Sequence, residues 1–380
     1  MVLRLQLLAL GMIASLAPMR AQTVGLSGQV WLGVSGASDS APNRAGYGEF
    51  VGFIPTLSVM GRRGWLARLD AELALQASVT LDGFLGAGAA GIDTTFKPYR
   101  LWVRYAAEKF DLRLGLQKLA FGPGRLPIRP LAWFDTFDLR DPTGQTGGVT
   151  TLRARLFPSS GLTLWGWINA GHDLADPSPG GRAEMSFGLG ELALSYHYRQ
   201  TTDRDYASRP LLSPLANEER FALDLRVDGL VGLWGELAII NSRGGKEKGV
   251  SGKGTMTMIG GDYTLDLGPG LYVMVEHLWG RFSISEPELD RDLAISLSWA
   301  LASYPLGLTD QVMGIVGYDW ESGQAFGFAQ WQRTFDAVSL HVILTGSPAG
   351  GSDLAAGQSQ SGAALTSFGV AIQFMMIYNY

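Results

Sequence analysis

The last seventeen residues, Ala364 to Tyr380, constrain the fold more than any other stretch. From Phe368 every second residue is large and apolar: Phe368, Val370, Ile372, Phe374, Met376, Tyr378 and Tyr380. The interleaved positions begin with Gly369, Ala371 and Gln373 and end with Asn379. A period of two places the two sets on opposite faces of a strand. A soluble sandwich has no evident need for so apolar a face at a chain end, whereas a strand with lipid outside and water inside requires one.

The same alternation recurs along the chain. Leu69, Leu73, Leu75 and Val79, with Trp65 in the same parity, oppose Arg68, Asp70, Glu72, Gln76 and Ser78. Tyr99, Leu101, Val103 and Tyr105 oppose Arg100 and Arg104, and Phe110, Leu112, Leu114 and Leu116 oppose Asp111, Arg113 and Gln117. Leu152, Ala154 and Leu156 oppose Arg153 and Arg155. Leu192, Leu194, Tyr196 and Tyr198 oppose Glu191, Ser195, His197 and Arg199, and Phe221, Leu223, Leu225 and Val227 oppose Arg220, Asp224, Arg226 and Asp228. Leu293, Ile295, Leu297, Trp299 and Leu301 oppose Asp292, Ser296 and Ser298, which predicts that this apolar set also faces lipid. Packed cores rarely accept so many full charges, so the polar faces are expected to meet water.

Connections alternate between long and short. Residues 35–46, 81–95, 120–146, 170–181, 201–218, 242–253 and 347–363 read as long loops, with 284–291 of moderate length. Between them lie tight breaks such as 61–64, 107–109, 158–161, 188–190 and 334–337, and 321–323 forms a short loop on the long-loop side. The expected fold is all-β: a single transmembrane antiparallel up-and-down β-barrel of about eighteen strands, sixteen at the least. Its turns would be short and periplasmic and its loops long and extracellular. A propeller would carry a repeat of fixed period, and none is present.

Residues 1–21 read as a secretory signal peptide, with Arg4 ahead of the apolar run Leu5–Ala17 and a cleavage point after Ala21, Ala17 being a rival site. The barrel is then expected over 22–380. Removing residues 1–21 takes away Arg4 and Arg20 and no acid, leaving 28 basic side chains against 35 acidic. That balance argues against a nucleic-acid partner. No cysteine is present, so neither a disulfide framework nor a lipoprotein anchor is expected. Fifty-one glycines alongside 11 Trp, 12 Tyr and 17 Phe suit a twisted sheet with aromatic girdles. Trp65, Tyr105, Phe110 and Phe157 are expected in the periplasmic girdle, Tyr47 and Phe50 in the outer one.

The closing alternation resembles the final strand of Gram-negative outer-membrane barrels. In that resemblance Tyr380, with Tyr378, Met376 and Phe374 behind it, is the signal read by the barrel-assembly machinery, and the other partner is outer-membrane lipid. Barrels of sixteen to eighteen strands leave an aqueous channel. The segment Ala120–Thr146 holds Pro123, Pro127, Pro130 and Pro142 with Phe121, Trp133, Phe134 and Phe137. Long loops are functional or disordered, and these aromatics argue against disorder. The segment occupies the place of the loop that folds into the lumen in porins, and that resemblance allows a homotrimer. The stretch from Leu114 to Leu126 is similar to alginate-export-type barrels, also of eighteen strands. The alternative is an external lid packed on neighbouring loops.

Arg100, Arg104, Arg113, Arg153 and Arg155 share inward parity on three consecutive predicted strands, so their heads are expected to form one patch. Facing acids Asp135, Asp138 and Asp141 on the long loop would set a field across the bore that favours anionic solutes. The structural alternative is a set of ion pairs, with Asp70, Glu72 and Asp111 close enough to neutralise the arginines.

No enzyme is expected: His172, His197, His277 and His341 stand in no hydrolytic motif. Gly86-Ala-Gly88-Ala-Ala-Gly91 matches a dinucleotide fingerprint by letter but lacks the following helix, and the stretch at Gly252-Lys253 fails the phosphate-loop pattern. Both read as outer loops, and no cofactor or metal is expected. The reading is a channel for small hydrophilic, preferentially anionic, solutes. The alternatives are an exporter of anionic polysaccharide, or a closed barrel acting as a receptor, adhesin or structural element.

Overall fold

The computed structural model describes residues 22–38, 47–82, 91–125, 128–135, 141–170, 176–200, 217–243, 251–286, 289–346 and 369–380. The first nine strands are β1 (Gln22–Ala37), β2 (Tyr47–Gly61), β3 (Leu69–Asp82), β4 (Gly91–Ala106), β5 (Phe110–Gln117), β6 (Val149–Ser159), β7 (Leu162–Asn169), β8 (Ser178–Phe187) and β9 (Gly190–Gln200). The others are β10 (Asn217–Asp228), β11 (Gly232–Arg243), β12 (Ser251–Leu265), β13 (Leu271–Glu286), β14 (Leu289–Pro305), β15 (Asp310–Asp319), β16 (Gln324–Thr334), β17 (Val338–Gly346) and β18 (Val370–Asn379). Each pairs antiparallel with its sequence neighbours.

Closure is direct. β18 pairs with β1 from Gln29↔Asn379 to Ala37↔Ala371, and β1 pairs with β2 on its other edge. Gly28 and Tyr380 exchange backbone hydrogen bonds of 3.0 and 3.1 Å. A closed sheet leaves no edge carrying unpaired N–H and C=O groups, which is what a hydrocarbon environment demands. Phe374 is 48% exposed and Leu223 39%, so the apolar parity of these strands points out of the barrel. Long connections gather at one rim and short turns at the other. The Trp320–Gly323 turn is a short exception on the long-loop rim, and so is the connection between β13 and β14, where most of the expected moderate loop at 284–291 belongs to the two strands.

Several expectations change in detail. On β14 the parity is inverted: Ile295, Leu297 and Trp299 are buried on the inner wall, and Ser296 and Ser298 point outward. The inner apolar set joins Met258, Leu278, Ile315, Phe328 and Ile343 in a core inside the barrel. The rule that apolar means lipid-facing fails where the lumen itself is packed with side chains. A register shift opposite Ala74 and Leu75 turns Tyr99 inward as well, where it packs near Trp31 and Ile54. Phe50 likewise faces inward, against the same cluster, and is no girdle residue. Trp65 sits in a short 3-10 turn, Gly64–Arg68, ahead of β3. Gly252 and Lys253 belong to β12, not to a loop. The expected signal peptide at 1–21, Asp138, His172, Phe368 and most of the 86–91 glycine stretch lie outside the described residues.

Candidate functional site

The inner surface is organised around the segment between β5 and β6. Its described residues lie inside the barrel and touch opposite walls. At one end, Phe121 and Leu131 are buried with Trp167 of β7, Ala222 of β10 and Ala238 of β11, and Trp133 and Phe134 pack alongside. Ile128 packs on the apolar core of β11–β17. The inward glycines make room for this layer: a Cβ at Gly180 would come within 2.4 Å of the Trp167 ring. His197 is 2% exposed, its ring 4.9 Å from that of Phe134 and 6.2 Å from that of Trp167. It serves this packing. His341 is buried against Gln330 and Ser339, and His277 points outward, 2.7 Å from the Ser298 hydroxyl.

Two carboxylates of the wall hold the segment by its backbone. Glu236 of β11 accepts the Gly124 N–H at 2.8 Å on one oxygen and the Leu131 N–H at 3.1 Å on the other. Glu276 of β13 accepts the Arg125 N–H at 2.9 Å and the Trp234 indole N–H at 2.8 Å. Both are buried, and each supplies an acceptor to buried donors that would otherwise be stranded. The sequence reading missed them. The available signal was one inward acid set among apolar and glycine neighbours on β11 and again on β13.

At its other end the segment reaches the wall formed by β1, β3 and β4. The Gln145 side chain bonds Gln29 and Gln76, each at 3.1 Å, and the Thr146 N–H donates to the Tyr99 hydroxyl at 3.3 Å. Arg100 donates to the Thr146 carbonyl at 2.9 Å. The segment is therefore strung across the bore, held by polar contacts on one side and by apolar packing plus two carboxylates on the other.

The arginines lie side by side on the inner wall of β4–β6. Arg104 is directly opposite Arg113, and Arg113 directly opposite Arg153, so three like charges stand in one cross-strand row. Arg155 lies next along β6, opposite Asp111, and Arg100 on β4 nearer the long-loop rim. Asp70 pairs with Arg104 at 2.8 Å. Asp111 pairs with Arg153 at 3.2 Å and accepts from the Arg155 Nε at 2.8 Å. Glu72 pairs with none of the five. Among the described residues Arg113 has no acidic partner, and its guanidinium lies 3.9 Å over the Trp102 ring. Five cations thus share the wall with Asp70, Glu72 and Asp111, an excess of positive charge.

The loop acids are placed differently from the expectation. Asp135 is buried and paired with Arg129 within the segment itself. Asp141 accepts from the Thr143 N–H at 2.9 Å and its hydroxyl at 2.5 Å, which fixes the returning turn. A second buried pair stands further round the wall, where Arg182 of β8 makes a bidentate contact with Asp224 of β10, one of its bonds 2.9 Å long. Among the described residues, no group of three or more His, Asp or Glu side chains could hold a metal ion.

No family model and no curated protein sequence matches the chain. Solved structures do. OmpT, an outer membrane protein of Vibrio cholerae in its trimer form, superposes with a TM-score of 0.51 at 11% identity, covering 95% of this chain and 100% of that one. OmpF of Salmonella typhi, in complex with daunomycin, superposes with a TM-score of 0.50 at 11% identity, covering 95% and 98%. Together with the closed eighteen-stranded sheet, these likenesses establish the fold as that of an outer-membrane β-barrel of the porin type.

Proposed function

We propose that this chain is an outer-membrane channel for small hydrophilic solutes with a bias toward anions. One observation carries the selectivity: the in-register row Arg104, Arg113 and Arg153. Like charges directly opposite one another on neighbouring strands destabilise a sheet. A wall that only needed ion pairs would alternate sign, and here two aspartates serve three of the five arginines, while among the described residues Arg100 and Arg113 have no acidic partner. The segment strung across the bore narrows the path and keeps solutes close to that wall, where the field of unpaired cations acts over a short distance.

The protein is exported with residues 1–21 removed and resides in the outer membrane. Its closing strand, through Phe374, Met376, Tyr378 and Tyr380, is the one read by the assembly machinery. It is not an enzyme, and a homotrimer is its proposed assembly. Reversal potentials in a planar bilayer under a salt gradient test the selectivity. Wild type is expected to favour anions, and both Arg113→Ala and the double variant Arg100→Ala with Arg104→Ala are expected to lower the anion-to-cation ratio. An unchanged ratio in both variants would remove the selectivity claim. Conductance blocked by oligouronates would favour a polysaccharide exporter instead, and no conductance at all would favour a closed barrel.

A further inference from the structure

The outer surface of β8–β13 carries two features that the channel does not use. The first is an apolar groove of about 530 Å³ in the wall of β8–β11. Its floor is formed by the small residues Gly181 and Ala183, and its sides include Leu194, Tyr196, Phe221 and Ile239. The groove is built into the backbone: a Cβ at Gly181 would press to 3.3 Å from the Trp165 carbonyl oxygen. Tyr196 and Phe221 pack with ring centroids 4.8 Å apart and their planes tilted by 46° along one side.

The second feature lies just beyond the apolar belt, toward the long-loop rim. Arg243 of β11, Lys253 of β12 and Arg281 of β13 are all exposed with outward parity. The register makes them a diagonal: Arg243 is opposite Ser251, Lys253 opposite Asn241 and Ser283, and Arg281 opposite Thr255. Diagonal neighbours on one face lie about 7–8 Å apart, within the span of one phosphorylated headgroup. Asn241, Thr255 and Ser283 place hydrogen-bonding side chains between them. Arg243 stands two outward positions beyond Ile239, which lines the groove, and Trp279 lies one position below Arg281, 45% exposed. Acidic side chains border the band at Glu219 of β10 and Asp292 of β14, which confines the positive potential to β11–β13.

We infer that this wall is a docking site for a phosphorylated glycolipid of the outer leaflet, with an acyl chain in the groove and a phosphate on Arg243, Lys253 and Arg281. Basic clusters at a bilayer surface recognise anionic headgroups by charge, and an apolar groove that meets the band along β11 gives the chain a place to descend. The inference rests on the outer-membrane placement proposed above.

The test uses the full-length barrel in phosphatidylcholine nanodiscs, titrated with a bis-phosphorylated acylated glucosamine disaccharide and with its dephosphorylated form, binding being read by native mass spectrometry. Wild type should bind the phosphorylated lipid at least tenfold more tightly than the dephosphorylated one. The triple variant Arg243→Gln, Lys253→Gln, Arg281→Gln should lose that preference, and Ala183→Phe, which fills the groove, should weaken binding of both forms. Equal binding of the two lipids by wild type would overturn the proposal, as would a triple variant that keeps the preference. If Ala183→Phe instead breaks an oligomer and leaves lipid binding alone, the groove is a contact between copies and the proposal falls. Single-channel conductance separates the two readings, because failed lipid binding with intact conductance sinks the docking site and spares the channel. Where the triple variant fails to fold, Arg243→Gln alone carries the comparison.

Discussion

Glu236 offers the sharpest test of how the lumen is built. Its two oxygens accept the Gly124 and Leu131 N–H groups, at 2.8 and 3.1 Å, from the segment strung across the bore. In Glu236→Gln one acceptor oxygen becomes an NH₂ donor, so one bond is lost and two donors face each other. A hydrogen bond to a charged group contributes about 1.5–3 kcal/mol, so the ratio of docked to undocked segment should fall about 10- to 150-fold. Glu236→Ala removes both bonds, about 3–6 kcal/mol, and shifts the same ratio on the order of a hundred- to ten-thousand-fold. Single-channel recording is the direct assay. The glutamine variant should show added noise and brief larger openings, and the alanine variant a raised mean conductance. Gel mobility before and after heating reports whether the barrel itself remains closed. An alanine variant with a closed barrel and a trace indistinguishable from wild type would refute the idea that this carboxylate holds the segment in the path.

Asp111 is 3% exposed and balances both Arg153 and Arg155. Asp111→Asn should raise the anion-to-cation ratio by freeing two cations, and should destabilise the barrel by about 3–5 kcal/mol as measured by urea unfolding in micelles. The inverted parity of β14 is checked by a pair of substitutions, because Leu297 is buried inside and Ala300 is exposed outside. Leu297→Ala should cost about 2–5 kcal/mol whereas Ala300→Leu should be nearly neutral, and the reverse order would restore the lipid-facing reading. Phe374→Arg on the lipid face should cost about 2–4 kcal/mol of folding free energy into bilayers, read by tryptophan fluorescence. A neutral result would mean that this strand does not face hydrocarbon.

The alternation at Phe374, Leu223 and Leu194 could be read straight from the chain, because a period of two needs no partner to define a face. Strand number and closure followed from the spacing of breaks, since antiparallel neighbours need only short turns at one rim. The arginine patch was legible for the same reason: inward parity on consecutive strands leaves Arg104, Arg113 and Arg153 nowhere else to go. Which charges neutralise which was not legible, because register gave Asp111 both Arg153 and Arg155 and left Arg113 beside it without a share, and Asp135 found Arg129 within its own loop.

What the sequence determined alone was a sheet with two unlike faces, long enough to close. What tertiary structure decided was how the inside is filled. Ile295, Leu297 and Trp299 look lipid-facing in isolation, and face inward because an apolar core inside the barrel shields them from water. Glu236 and Glu276 look like ordinary lumen acids until the backbone of a segment more than a hundred residues away in sequence delivers its N–H groups to them. Periodicity tells a residue which side it is on, and only the packed interior says whether that side is wet.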